Sequence, residues 1–168
     1  SDVCSSDLAV VVIVAGFIFF NPFGGGKSSS TAKKTTSTSS TKQAAKYEPS
    51  QEEKDYLKNR FAQLTAVNPE TIAYVYAPGT QLDEPVVQTT DNETYLNKTF
   101  DGGNEPLMGT VFMDMDNKKD FSDRLTWLFG HARGSQVEDH RMFNDVNFYD
   151  TQEYFDQHPY VVIETPER

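Results

Sequence analysis

The sequence predicts a mostly β domain with short helices, led by one amphipathic helix and held on a tether. Three observations predict it. Five short runs rich in β-branched and aromatic residues lie between residues 71 and 164, bounded by Pro, Gly, Asn or Asp. One helical period, over residues 51–66, precedes them all. Only brief helical segments separate the runs, which suits an antiparallel or mixed barrel. At 168 residues the chain has room for one such domain plus appendages.

The appendages come first. Residues 1–8, SDVCSSDL, are polar and abut an apolar run abruptly. They back-translate to the end of a common short-read sequencing adapter, so they are read as an artefact of the predicted gene. Cys4, the single cysteine, falls inside them and allows no disulfide. Residues 8–23 open with thirteen apolar residues, LAVVVIVAGFIFF, and no cleavage pattern follows. A full membrane helix needs about 20 residues, so residues 8–23 are expected to be part of an uncleaved anchor. Residues 24–48 form a Gly-, Ser-, Thr- and Lys-rich linker with too little apolar surface to offset the entropy of ordering.

Residues 49–168 carry the folded domain, which is expected to be cut short at its C-terminal side. Ser50 and Glu53 have the spacing of a capping box, and Tyr56, Leu57, Phe61 and Leu64 recur at helical spacing over 51–66. Asn68-Pro69 ends that helix. Thr71–Tyr76 is the first strand of the body and Pro78-Gly79 its turn. Residues 82–88 return as a second strand, in which Pro85 marks an edge or a bulge. Residues 91–96 read as a turn into a short helix, and 109–113 as the third strand. A short apolar run, 125–129, reads as a buried fourth strand that Gly130 breaks, delivering His131 to a loop mouth. Beyond it come a helical turn over 141–148, a brief helix over 151–157 capped by Asp150 and Glu153, and a fifth strand over 160–164.

Charge narrows the function classes. The formal net charge is −10, yet five lysines sit in the linker, so residues 47–168 hold 10 basic and 23 acidic residues. A body this acidic lacks the basic face that nucleic-acid binding needs, so no nucleic-acid partner is expected. Metal ligation is not expected either: His131, His140 and His158 are nine and eighteen residues apart, which matches no compact ligand pattern. His131 stands out for another reason. Its imidazole exchanges a proton near neutrality, and a strand end is a rigid mount for such a group.

Several segments, in order, resemble the class B sortases: Asn68-Pro69-Glu70-Thr71, Pro78-Gly79-Thr80, Pro85-Val86-Val87-Gln88, and Asp91-Asn92 with Tyr95-Leu96. Gly109-Thr110-Val111-Phe112-Met113-Asp114, Phe129-Gly130-His131, Met142-Phe143 and His158-Pro159-Tyr160 continue the series. The resemblance runs from Gln51 to Arg168 and includes the anchor-and-linker layout. It implies a sortase-like eight-stranded β-barrel, truncated here after about five strands. It also implies a transpeptidase held as a single-pass protein on the extracellular face of a Gram-positive membrane, and no cofactor.

The family uses a histidine, a cysteine on a later strand and an arginine on the next. His131 matches the histidine, while the other two have no counterpart in residues 49–168. Arg133 occupies the wrong element for the arginine, and Cys4 the wrong end for the thiol. Asn92 and Leu96 fall where the family lines its substrate groove. The implied partners are surface proteins bearing an Asn-Pro-x-Thr sorting signal, a peptidoglycan-precursor amine, and the membrane through the N-terminal helix. The competing expectation is a membrane-tethered β-domain for binding or structure that has no catalytic machinery.

Overall fold

The computed structural model describes residues 8–14, 48–132 and 141–168. The adapter-like segment before Leu8, residues 15–47 with most of the linker, Arg133 and His140 lie outside the described residues. The described elements are β1 (Leu8–Val14), α1 (Gln51–Val67), β2 (Thr71–Tyr76), β3 (Asp83–Val87), a 3₁₀ turn (Thr94–Leu96) and β4 (Val111–Met113). They continue with β5 (Leu125–His131), a 3₁₀ helix (Asn144–Asp150), α2 (Gln152–Gln157) and β6 (Val162–Glu164). The six strands form one sheet in the order β1-β5-β4-β3-β2-β6. It is mixed: β3 and β4 run parallel, and the other pairs are antiparallel.

Helix α1 starts as expected, with the Ser50 hydroxyl accepting from Glu53 N–H at 3.2 Å and the Glu53 carboxylate from Ser50 N–H at 2.7 Å. Leu57 and Phe61 are buried on its inner face, whereas Tyr56, expected among them, is half exposed. Arg60 supplies part of the apolar docking instead, its guanidinium 3.9 Å over the Tyr74 ring and 3.2 Å from the Glu164 carboxylate. The turn after β2 puts Pro78 ahead of Gly79 at φ +82°, with Thr80 N–H donating to Ala77 C=O at 3.1 Å. That is a type II turn, which needs a positive φ at its third residue.

Pro85 is neither in an edge strand nor at a bulge. The bulge is in β2, between Thr71 and Ala73, opposite Val86 and Val87, whereas Pro85 faces Tyr74 in regular register. β3 is interior, but its pairing with β4 begins only at Val86, so the missing proline N–H costs no ladder bond on that side. The cap of α2 is Thr151, whose hydroxyl accepts from Tyr154 N–H, rather than Asp150 or Glu153.

Alternation along the strands gives each face its own core. Val75, Val86, Val111, Met113 and Leu128 join Met142 and Phe143 on one face. Val87, Tyr95 and Phe112 make a smaller cluster on the other, with Leu96, Phe100 and Phe129 packed against it. The run 125–129 is therefore not uniformly buried: Thr126 and Leu128 are enclosed, while Leu125 and Trp127 are more than a third exposed. Gly130 does not break this strand. It is buried within β5, and a Cβ there would lie 3.0 Å from the Phe143 ring and 3.1 Å from Val111. Close packing, not chain reversal, is what asks for glycine.

The apolar run expected to begin a membrane helix is, over Leu8–Val14, a strand paired along the whole of β5, from Leu8 opposite His131 to Val14 opposite Leu125. An apolar, valine-rich segment suits such an edge, where unpaired N–H and C=O groups otherwise face solvent. Among the described residues no helix is long and apolar enough to cross a membrane.

Candidate functional site

His131 ends β5 on the face of the smaller cluster, two residues beyond Phe129. The Phe129 ring packs on Phe112 at 5.2 Å and stacks with Trp127 at 6.5 Å. Contacts of this kind contribute about 0.5–1.5 kcal/mol beyond burial, which stiffens the strand that carries the histidine. The chain returns after residue 140 with Met142 at φ +57°, and Phe143 N–H then donates to His131 C=O at 2.9 Å. Met142 N–H donates to the Glu84 carboxylate at 3.0 Å, which ties this return to β3. The backbone of His131 is thus tied to the returning chain, and that chain in turn to β3.

The ring itself has one partner among the described residues. Nε2 lies 2.7 Å from the Leu96 carbonyl oxygen, which can only accept, so Nε2 carries the proton and donates it. In the neutral ring Nδ1 is then the bare nitrogen. It is buried and has no hydrogen-bond partner among the described residues. A buried acceptor left unpaired is costly and is a mark of sites that act on a group brought from elsewhere. The arrangement presents a basic lone pair of fixed orientation at a strand end.

Leu96 and His131, 35 positions apart in the chain, meet through the backbone carbonyl of Leu96. Its side chain is half buried beside Tyr95 and Phe112. Nothing in sequence periodicity marks a main-chain carbonyl as a histidine's partner. Asn92 precedes the same turn, and its side chain is engaged at both ends. Its amide donates to the Asp114 carboxylate at 2.9 Å, and its oxygen accepts from Met115 N–H at 2.9 Å. It staples the turn to the loop between β4 and β5.

Tyr95, fully buried, anchors the turn from below. Its hydroxyl accepts from the Asn68 amide at 2.8 Å and donates to the Glu70 carboxylate at 2.5 Å. Asp91 caps the turn from above, accepting from the N–H groups of Thr94 at 2.7 Å and Glu93 at 2.9 Å. Those bonds, Thr94 first, hold the Asp91 carboxyl below the usual aspartate range. A depressed folded pKa means the cap stabilises fully above the ordinary value of about 3.9 and fades as pH falls through the folded one. The melting temperatures of the wild type and Asp91→Asn should therefore differ near neutrality and converge at acid pH, once the folded-state carboxyl is protonated. A gap that stays constant across the acid range would contradict the cap's charge.

His158 is elsewhere: its Nδ1 sits 3.2 Å from the Pro78 carbonyl, under the turn at Gly79. Among the described residues no group of three or more His, Cys, Asp or Glu could hold a metal ion. Two concavities, of about 640 Å³ near Thr71 and Arg168 and about 580 Å³ near Glu84 and Met142, are lined by none of His131, Leu96 and Asn92. The chemistry, not the volume, selects the site: among the described residues His131 combines a rigid mount with a ring nitrogen that has no hydrogen-bond partner.

No known family profile matches the chain. Comparison with individual proteins is informative. Sortase B of Staphylococcus aureus is 29% identical over 104 residues, covering 62% of this chain and 41% of that protein. Sortase B of Listeria monocytogenes is 27% identical over 118 residues, covering 70% and 44%. Among solved structures, the Staphylococcus aureus sortase B–substrate complex matches with a TM-score of 0.54 and 25% identity, over 66% of this chain and 49% of that one. The chain spans about two fifths of the length of the curated relatives it matches. The five strands from β2 to β6 match part of the sortase β-barrel. Fold and sequence agree, and the chain is a partial homologue of the class B sortases, a family of cysteine transpeptidases.

Proposed function

We propose that this chain is part of a transpeptidase that cleaves a sorting signal of the Asn-Pro-x-Thr type at its threonine and joins the protein to a cell-wall amine. The observation that carries the reading is the His131 ring, fixed through Nε2 on Leu96 C=O, with Nδ1 buried and without a hydrogen-bond partner among the described residues. On this reading the thiol and the arginine of the family come from the part of the protein that the relatives have and these 168 residues do not span.

A thiolate attacks the threonine carbonyl, and its sulfur forms a bond to that carbon. The resulting oxyanion is held by the arginine, the kind of charge stabilisation that contributes several kcal/mol in acyl transfer. Collapse breaks the C–N bond, and the imidazolium of His131 gives its proton to the departing amine. The cell-wall amine then attacks the thioacyl carbon and loses a proton to the imidazole, and the thiolate leaves. Leu96, partly buried against Tyr95 and Phe112 and bound to His131 through its carbonyl, lines the peptide's path on this reading. Asn92 acts there through the loop it staples more than by a free side chain.

Residues 8–23 are proposed to anchor the protein in a Gram-positive membrane, with residues 24–48 spacing the domain from its outer face. Their support is the uncharged apolar run and the linker's composition. Pairing with β5 and insertion into lipid are then alternative fates of the same seven residues.

The test uses a protein containing these residues and spanning the full length of the relatives, incubated with an Asn-Pro-x-Thr pentapeptide and analysed by intact mass. A thioacyl adduct on a cysteine beyond residue 168, released by a glycine-peptide amine, is the expected result. A reading frame without a cysteine there, or a peptide left uncleaved, overturns the assignment and leaves a β-domain for binding or structure.

A further inference from the structure

Gly109 stands directly behind the carbonyl that holds His131. Its φ is +58°, and a Cβ built there would overlap Tyr95 O and come within 2.7 Å of Leu96 O and 2.8 Å of Leu96 C. These are backbone atoms, which cannot swing aside as a side-chain tip could. The next residue completes the clamp. Thr110 N–H donates to Tyr95 C=O at 3.0 Å, and the buried Thr110 hydroxyl donates to Lys98 C=O at 2.9 Å. The carbonyls of Tyr95 and Lys98 are thereby bound to the start of β4, while that of Leu96, between them in sequence, is left to the imidazole. The pairing of Phe112 with Phe129 and Met113 with Leu128, continued by two residues, sets Thr110 opposite His131. Carbonyl and imidazole are thus located by the same two residues.

We propose that Gly109 is a positioning residue for His131, and that its lack of a side chain sets where the Leu96 carbonyl meets Nε2 and so which ring nitrogen carries the proton. Its catalytic meaning rests on the sortase reading, but the placement does not. A wrong tautomer would leave Nδ1 protonated and unable to take a proton from an incoming group.

The experiment is histidine ring ¹⁵N NMR on this chain, in which only three histidines need assignment. In the wild type, His131 is expected chiefly as the Nε2–H tautomer. Gly109→Ala should lower the ratio of Nε2–H to Nδ1–H by about five- to tenfold, the factor associated with one ordinary hydrogen bond. Gly102→Ala is the control for backbone strain alone, since Gly102 has φ +90° but open space where its Cβ would stand; it should leave the ratio unchanged. Should Gly109→Ala fail to fold, the Thr110 pair decides: Thr110→Val loosens the same clamp and lowers the ratio, and Thr110→Ser, which keeps the hydroxyl, does not. A folded Gly109→Ala with the wild-type ratio, or Thr110→Val and Thr110→Ser behaving alike, overturns the proposal. No turnover is measured, so this failure is separate from failure of the sortase reading.

Discussion

On the proposed transpeptidase reading, replacing His131 with alanine in a protein that carries these residues together with the family's thiol and arginine is expected to cut the rate about 10²- to 10⁴-fold, the usual contribution of a positioned acid–base group. Glutamine separates the two jobs of the ring. Its amide N–H can still donate to Leu96 C=O, where Nε2 now stands at 2.7 Å, but it has no basic lone pair at the Nδ1 position. His131→Gln should therefore lose rate as fully as His131→Ala while keeping more of the wild-type melting temperature. Steady-state kinetics with a sorting peptide and an amine, run beside thermal melts, gives both readouts. Residual activity above about a tenth of wild type in either variant would show that the proton moves elsewhere, since acid–base catalysis contributes at least about 10²-fold.

The largest expected loss of stability is at Phe143. Its side chain is fully buried in the main core, and its ring fills the space that Gly130 leaves open in β5. Phe143→Ala removes the ring from beside Gly130 and leaves a cavity that the strand backbone cannot close. Such changes cost about 3–5 kcal/mol, against a total stability of about 5–15 kcal/mol for a domain. Urea unfolding should show the midpoint falling with little change in slope. Phe143→Leu keeps most of the volume and should cost roughly a third as much. Phe143 N–H also holds His131 C=O, so the alanine variant should loosen the end of β5 even where the domain still folds. If Phe143→Ala and Phe143→Leu unfold at the same urea concentration, the ring does not fill the space assigned to it.

Local signals were enough where neighbours in the chain supply the physics. The capping box at Ser50 and Glu53, the type II turn at Pro78-Gly79, and β-branched runs such as Thr71–Tyr76 each carry their own cause in a few residues. The same holds for His131 as a candidate: an ionisable side chain at the end of a strand is visible in one dimension. The errors share a different cause. Tyr56 has the spacing of an inner-face residue, but the helix rolls to bring Arg60 onto Tyr74 and leaves the phenol outside. Gly130 resembles a strand breaker and is instead a packing notch, because the ring above it belongs to a residue thirteen positions later. Leu8–Val14 has the composition of a membrane segment and the β propensity of a strand. Composition cannot choose between lipid and an open sheet edge.

From its residues alone this chain declared a β domain behind a helix, an acidic composition, and a candidate histidine at the end of a strand. Periodicity, turn chemistry and charge are properties of short windows, and they survive whatever the rest of the chain does. Tertiary structure alone decided which nitrogen of His131 holds its proton, that a main-chain carbonyl fixes it, and that the Asn92 side chain is occupied by Asp114 and Met115. Those depend on segments more than twenty residues apart meeting within 3 Å. Backbone carbonyls are identical in every residue, so only folding can single one out.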